Sequence, residues 1–191
     1  MIPRSPVRLA AVAATTLILG VVVGVIWAFI TPSMQGIVIS GGEAMIPGAQ
    51  FPEEFAGVGV FALAVFIYGI VAALVGWFGA RTWRGPLGFA VIAVTAFLGS
   101  FVAKFAGTWI ADARFADPKS LPVGSTFHVV PDLWLDGGLR SGAGGEWMLF
   151  LCAPLAVSLV YLVCALLSRH PDLGVGDLPG VPDERLFTAP A

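Results

Sequence analysis

The sequence predicts an all-α membrane protein with four transmembrane helices, both termini on the cytoplasmic side and two long extracytoplasmic loops. Three observations carry that expectation. The 191 residues are 58% hydrophobic and 12% charged, with a mean hydropathy of +0.91, whereas a soluble domain is roughly 45–50% apolar and about a quarter charged. Four apolar stretches can each cross a hydrocarbon core of about 30 Å, which takes ~20 helical residues. Lys and Arg gather on alternate connections, the bias that sets the orientation of membrane proteins. The composition excludes disordered and collagen-like chains. A formal net charge of −2 supplies no basic field for nucleic acid.

The expected spans are about 9–30, 56–78, 87–110 and 147–167. The first, second and fourth hold no charged residue, and the third holds only Lys104. Backbone groups in lipid must pair within their own segment, so each stretch reads as helix. The spacing lacks the ten-residue alternation of a membrane barrel. The first stretch is expected to stay as a span, because its apolar run exceeds the roughly 7–15 residues of a signal-peptide core. Ile26-Trp27-Ala28 is also a poor cleavage site. The short connection 79–86 makes spans two and three a helical hairpin. Pro154 should bend span four, since proline removes a backbone bond.

Arg4 and Arg8 precede span one, Arg81 and Arg84 sit in the short connection, and Arg169 opens the tail at 168–191. Loop 31–55 has no Lys or Arg but carries Glu43, Glu53 and Glu54. Loop 111–146 mixes Arg114, Lys119 and Arg140 with Asp112, Asp117, Asp132, Asp136 and Glu146. Both loops are therefore expected outside. Trp27, Trp109 and Trp147 at outer ends, with Trp77 and Trp83 at inner ends, read as interfacial belts.

Small residues recur at helical spacing: Gly20 and Gly24 in span one, Gly69, Ala73, Gly76 and Ala80 in span two, Gly99, Ala103 and Gly107 in span three. Such faces let helix backbones approach closely in lipid, here chiefly against each other. Lys104, with Ser100 and Thr108 one turn either side, forms a polar strip. It can snorkel to a lipid phosphate, meet a carboxylate of Glu53, Glu54, Glu146 or another subunit, or serve transport. The residues expected to contact lipid or a partner are Lys104, Ser100, Thr108, Trp134, Gly20 and Gly24.

No catalytic, cofactor or metal site is expected. His128 and His170 lie outside the spans, which excludes a haem held between facing helices by a histidine pair. His128 with Asp132 and Asp136 matches no metal-ligand spacing. Phosphate loops, nucleophile elbows and zinc motifs are absent. Cys152 and Cys164 lie roughly 18 Å apart on a helix, too far to bridge. The outer loops are rich in Gly and Pro, yet hold Ile37, Val38, Ile39, Met45, Phe127, Leu133 and Trp134. Their apolar content marks a contact site, a membrane-surface contact or a cap over the helices, with a short extended piece within 125–135 broken at Pro131. The tail, with Pro171, Pro179, Pro182 and Pro190, is expected as a disordered terminus or as an extended peptide along a cytoplasmic partner.

The run from Gly20 to Ala28 into Phe29-Ile30-Thr31-Pro32 resembles a family of small four-span actinobacterial membrane proteins of unknown function. So do the acidic start of span two, Trp77 with Arg81 and Arg84, the Gly85-Pro86 restart and the outer Gly-Ser-Thr-Phe-His-Val segment. The resemblance covers most of residues 9–170. In size and layout, though by no residue motif, the chain is also similar to accessory subunits of the actinobacterial cytochrome bc–aa3 respiratory supercomplex, which bind no cofactor themselves. The expectation is a non-catalytic accessory or assembly subunit of a larger inner-membrane complex. Its partners would be other inner-membrane subunits, with haem-containing respiratory proteins foremost, together with membrane lipids. The alternative is a small envelope lipid-binding or transport protein using Lys104 near the outer leaflet.

Overall fold

The computed structural model describes residues 5–39, 44–45, 51–115, 120–130, 133, 147–168, 173 and 175. Helix α1 spans Pro6–Ile30. Proline opens it, at a position where the missing N–H has no helical partner to lose. Thr31 ends it in an extended conformation, as the residue before Pro32 must. Helix α2 spans Phe51–Gly79, and a 3-10 turn, Arg81–Trp83, follows it. Gly85 is extended and Pro86 restarts the chain as α3, Pro86–Arg114. Helix α3 is about 43 Å long at 1.5 Å per residue, which exceeds a ~30 Å hydrocarbon core. Both α2 and α3 run past the sequence boundaries at the loop end, α2 from Phe51 and α3 to Arg114.

The fourth span is split. Helix α4, Trp147–Phe150, meets α5, Cys152–Leu166, through a turn at Leu151. The Leu151 N–H donates to the Met148 carbonyl at 3.2 Å, a tightened turn. Pro154 has no N–H for the carbonyl four residues earlier, at Phe150, and its ring crowds that turn. The helix is thus interrupted three residues ahead of Pro154, at the turn whose backbone bond the proline removes.

The α1–α3 contact is the most extensive helix pairing and α2–α5 the next; both exceed that between the hairpin neighbours α2 and α3. Small residues set this arrangement. A Cβ at Gly20 would stand 2.5 Å from the Gly99 carbonyl oxygen, and one at Gly24 would collide with the Ala103 carbonyl. Gly69 rests on Ala153 and Ala156 of α5 in the same way. Tyr68 joins three helices: from α2, its hydroxyl donates to the Thr16 carbonyl of α1 at 3.0 Å and lies beside Gly99 of α3.

The two outer loops are not independent. Strands β1 (Met34–Val38), β2 (Ala44–Met45) and β3 (Thr126–Val129) form an antiparallel sheet in the order β2-β1-β3. Ile37 pairs with Met45 and Thr126, and Gly36 with Phe127. Met34, Gly36 and Val38 face inward, and the Phe127 ring fills the space a side chain at position 36 would need. The sheet stands at the end of the bundle opposite the 3-10 turn, directly after α1. The chain is therefore mostly helical, with one small antiparallel sheet built from both long loops.

Candidate functional site

The residues singled out in the sequence do not converge on one site. Gly20 and Gly24 are buried in the α1–α3 contact, where they pack this chain against itself. Ser100 is fully buried, and its hydroxyl donates to the Ala96 carbonyl at 3.1 Å. The Thr108 hydroxyl donates to the Lys104 carbonyl at 3.0 Å. Both hydroxyls are thus satisfied by their own helix, a common fate of Ser and Thr in apolar helices. Lys104 is half-buried, with Nζ 5.7 Å from the centroid of the Phe105 ring. Trp134, Glu146, Asp132, Asp136 and His170 lie outside the described residues, and so does most of the tail. His128 is exposed and stacks on Phe115 at 6.3 Å. Among the described residues no three His, Cys, Asp or Glu stand together as a metal site.

Two tryptophans leave their expected belts. Trp27 is 1% exposed. Gly107 opens the space its ring occupies, its Nε1 donates to the Gly57 carbonyl at 3.1 Å, and its ring meets Phe61 edge-on at 5.4 Å. Phe61 continues to Phe150, and Phe150 to Phe101, making an aromatic core near the sheet. Trp77 is also buried, against Tyr161 at 5.2 Å. Trp109 and Trp147 do stay exposed, as interfacial residues should.

Arginines fasten both ends. At the sheet end, Arg114 donates to the Ala28 carbonyl near the C-terminus of α1 and lies over Phe29 at 4.6 Å. A cation there suits the negative end of the helix. At the other end, Arg84 donates from Nε to the Trp77 carbonyl at 2.9 Å and from Nη1 to the Leu173 carbonyl at 3.2 Å. Its guanidinium lies 4.7 Å from the centre of a Trp77 ring. Burial, and then the like charge of Arg81, lower the Arg84 pKa from its ordinary value; a guanidinium remains charged at neutral pH all the same. Trp83 Nε1 donates to the Ser5 carbonyl at 3.2 Å. The start of α1, the α2–α3 turn and the described tail residues therefore meet at one place. Leu173 packs against this chain's own helical core, and Val175 is buried.

The sequence signals for these fastenings are slight. A Trp or Arg at a span end looks interfacial whether it faces lipid or the neighbouring helix, and only the glycine opposite Trp27 distinguishes the two.

Four helices long and apolar enough to cross a membrane, locked by small-residue contacts, define a multi-pass membrane protein. Residues 16–175 match the family described as "Protein of unknown function (DUF2567)", and the chain belongs to that family. No curated protein and no solved structure matches it.

Proposed function

We propose that this protein is a non-catalytic accessory or assembly subunit of a larger complex in the plasma membrane of an actinobacterium, with haem-containing respiratory proteins as its partners. The observation that supports this reading is the outward face of the sheet. Ile37 and Met45 are cross-strand neighbours, 43% and 55% exposed, and Ile39 just beyond β1 is 44% exposed. Apolar exposure on the helices needs no explanation beyond lipid. These three residues stand instead on the sheet and its edge, which in this reading lie outside the bilayer, where an apolar patch marks a contact surface. The choice of respiratory partners rests on the similarity in size and layout to supercomplex accessory subunits.

The test is purification of the tagged protein from native membranes in mild detergent, with a haem absorbance scan and identification of what co-elutes. Stoichiometric haem proteins are expected, and Ile37→Glu with Met45→Glu should release them while helical content is unchanged. A lone band without haem overturns the reading. A second reading, lipid binding near the sheet-end leaflet, is favoured by the half-buried place of Lys104 in that part of α3. It requires that Lys104→Ala lower bound lipid and leave partner recovery intact.

A further inference from the structure

Among the described residues, arginine side chains gather at the end of the bundle away from the sheet. Tyr161 on α5 is 7% exposed, and among the described residues its hydroxyl has no hydrogen-bond partner. Its ring stands edge-on to Trp77 at 5.2 Å and tilted against Phe89 at 5.3 Å. Arg84 lies over the same Trp77 ring that Tyr161 meets, and Arg81, three residues earlier, adds a second positive charge to this end. The described residues of this end include Arg8, Arg81 and Arg84 and no acid. A buried hydroxyl without a partner is uncommon and calls for an explanation. A guanidinium cannot accept its proton, since arginine has donors alone. A phenolic hydroxyl can donate as well as accept, and beside two arginines the group best suited to take its proton is a negatively charged acceptor.

We propose that this end binds the phosphate of an anionic lipid headgroup, held between the Arg84 guanidinium and the Tyr161 hydroxyl. Phosphate suits both: it accepts in several directions, and arginine recognises it with paired N–H groups. Basic pockets between transmembrane helices bind anionic headgroups for this reason. A lipid, rather than free phosphate, fits the surroundings. Phe78, Leu87, Leu166 and Leu167 stand 59–77% exposed around the same end, where acyl chains would lie. The tail residue Leu173 already occupies part of Arg84. Its carbonyl takes one Arg84 N–H, and Leu173 holds a positive φ of 56°, a conformation unfavourable for leucine. A phosphate replaces that carbonyl on Arg84 and lets the backbone relax.

Native mass spectrometry of the full chain tests the site, with phosphatidylglycerol and phosphatidylcholine titrated in parallel. One phosphatidylglycerol should remain bound in preference to phosphatidylcholine. Tyr161→Phe keeps the ring contacts and removes only the hydroxyl, and it should weaken retention about tenfold, the size of one lost hydrogen bond to a charged group. Arg84→Gln should abolish the preference. Equal retention of the two lipids overturns the proposal, and so does an unchanged Tyr161→Phe. Displacement by millimolar inorganic phosphate shows a free-anion site and overturns the lipid assignment. Asp172, next in sequence to Leu173, is the acid the chain itself could offer. If the wild type binds no phosphatidylglycerol and Asp172→Asn does, the tail carboxylate is the occupant and the proposal falls.

Discussion

Gly24 and Gly59 are both helical glycines, and the structure assigns them opposite fates. Gly24 touches the Ala103 backbone so closely that any side chain must push α1 away from α3. Gly59 has nothing within 4 Å of its would-be Cβ. Gly24→Leu should therefore destabilise by about 1–3 kcal/mol or more, the scale of overpacking in a tight contact. Gly59→Ala should be neutral or stabilise by about 0.5–1 kcal/mol, because glycine weakens a helix interior. Thermal aggregation midpoints in one detergent compare the pair directly. If Gly24→Leu melts with the wild type, the α1–α3 contact is looser than this geometry. Trp27 gives a second test at this scale. Trp27→Phe keeps an edge contact to Phe61 and loses the bond to Gly57, at a cost of about 1 kcal/mol. Trp27→Ala should cost about 3–5 kcal/mol, the usual penalty for emptying a large aromatic site. A belt tryptophan facing lipid would show neither effect, so the size of the Trp27→Ala loss separates core from interface.

The elements differ in how far their own residues announce them. The four spans are legible because each is a local property: apolar length alone forces helix in lipid. The glycine faces are legible too, since Gly20 and Gly24, or Gly99 and Ala103, repeat at helical spacing, but which face meets which is not written locally. The hairpin α2–α3 is adjacent in sequence, yet Gly24 against Ala103 and Gly69 against Ala153 make α1–α3 and α2–α5 the closer pairs. Of the sheet, the sequence announces only the extended piece within 125–135, where β3 lies, and conceals β1, β2 and the pairing. The inward positions of β1 are Met34, Gly36 and Val38, and the glycine erases the apolar alternation that identifies a strand. That glycine is required because Phe127, from the other loop, occupies its side-chain space. Pairing across ninety residues leaves no trace in either segment alone. The candidate site was less legible still, since the orphan hydroxyl of Tyr161 becomes visible only once Trp77, Phe89 and Arg84 surround it. Gly36→Val should accordingly detach β3 from β1 and leave the spans intact. Trypsin cleavage after Arg114 should quicken severalfold while helical circular dichroism stays constant. Unchanged cleavage would mean that the sheet holds without this contact.

At the scale of the whole molecule, the charge arrangement and the fold make one joint statement about orientation. Arg8, Arg81 and Arg84 stand at the end with the 3-10 turn, and the sheet stands at the other with Asp112 and the single arginine Arg114 among the described residues. Cationic side chains near short connections are retained on the cytoplasmic side, so the sheet is expected outside and the proposed headgroup site inside, where the leaflet is more anionic. Two positions report this without disturbing it. Val123 is 67% exposed beside the sheet, and Thr82 is half-buried in the turn; replacing it leaves both neighbouring arginines in place. Cys152 and Cys164 are free thiols half-buried in the fourth span, so both are first changed to alanine. On intact cells an impermeant maleimide should then label Val123→Cys, and should reach Thr82→Cys only after the membrane is permeabilised. The opposite pattern would turn the molecule over. The apolar row of Ile37 and Met45 would then face the cytoplasm, and the Arg84–Tyr161 site would meet the outer leaflet, so its lipid would have to be sought there.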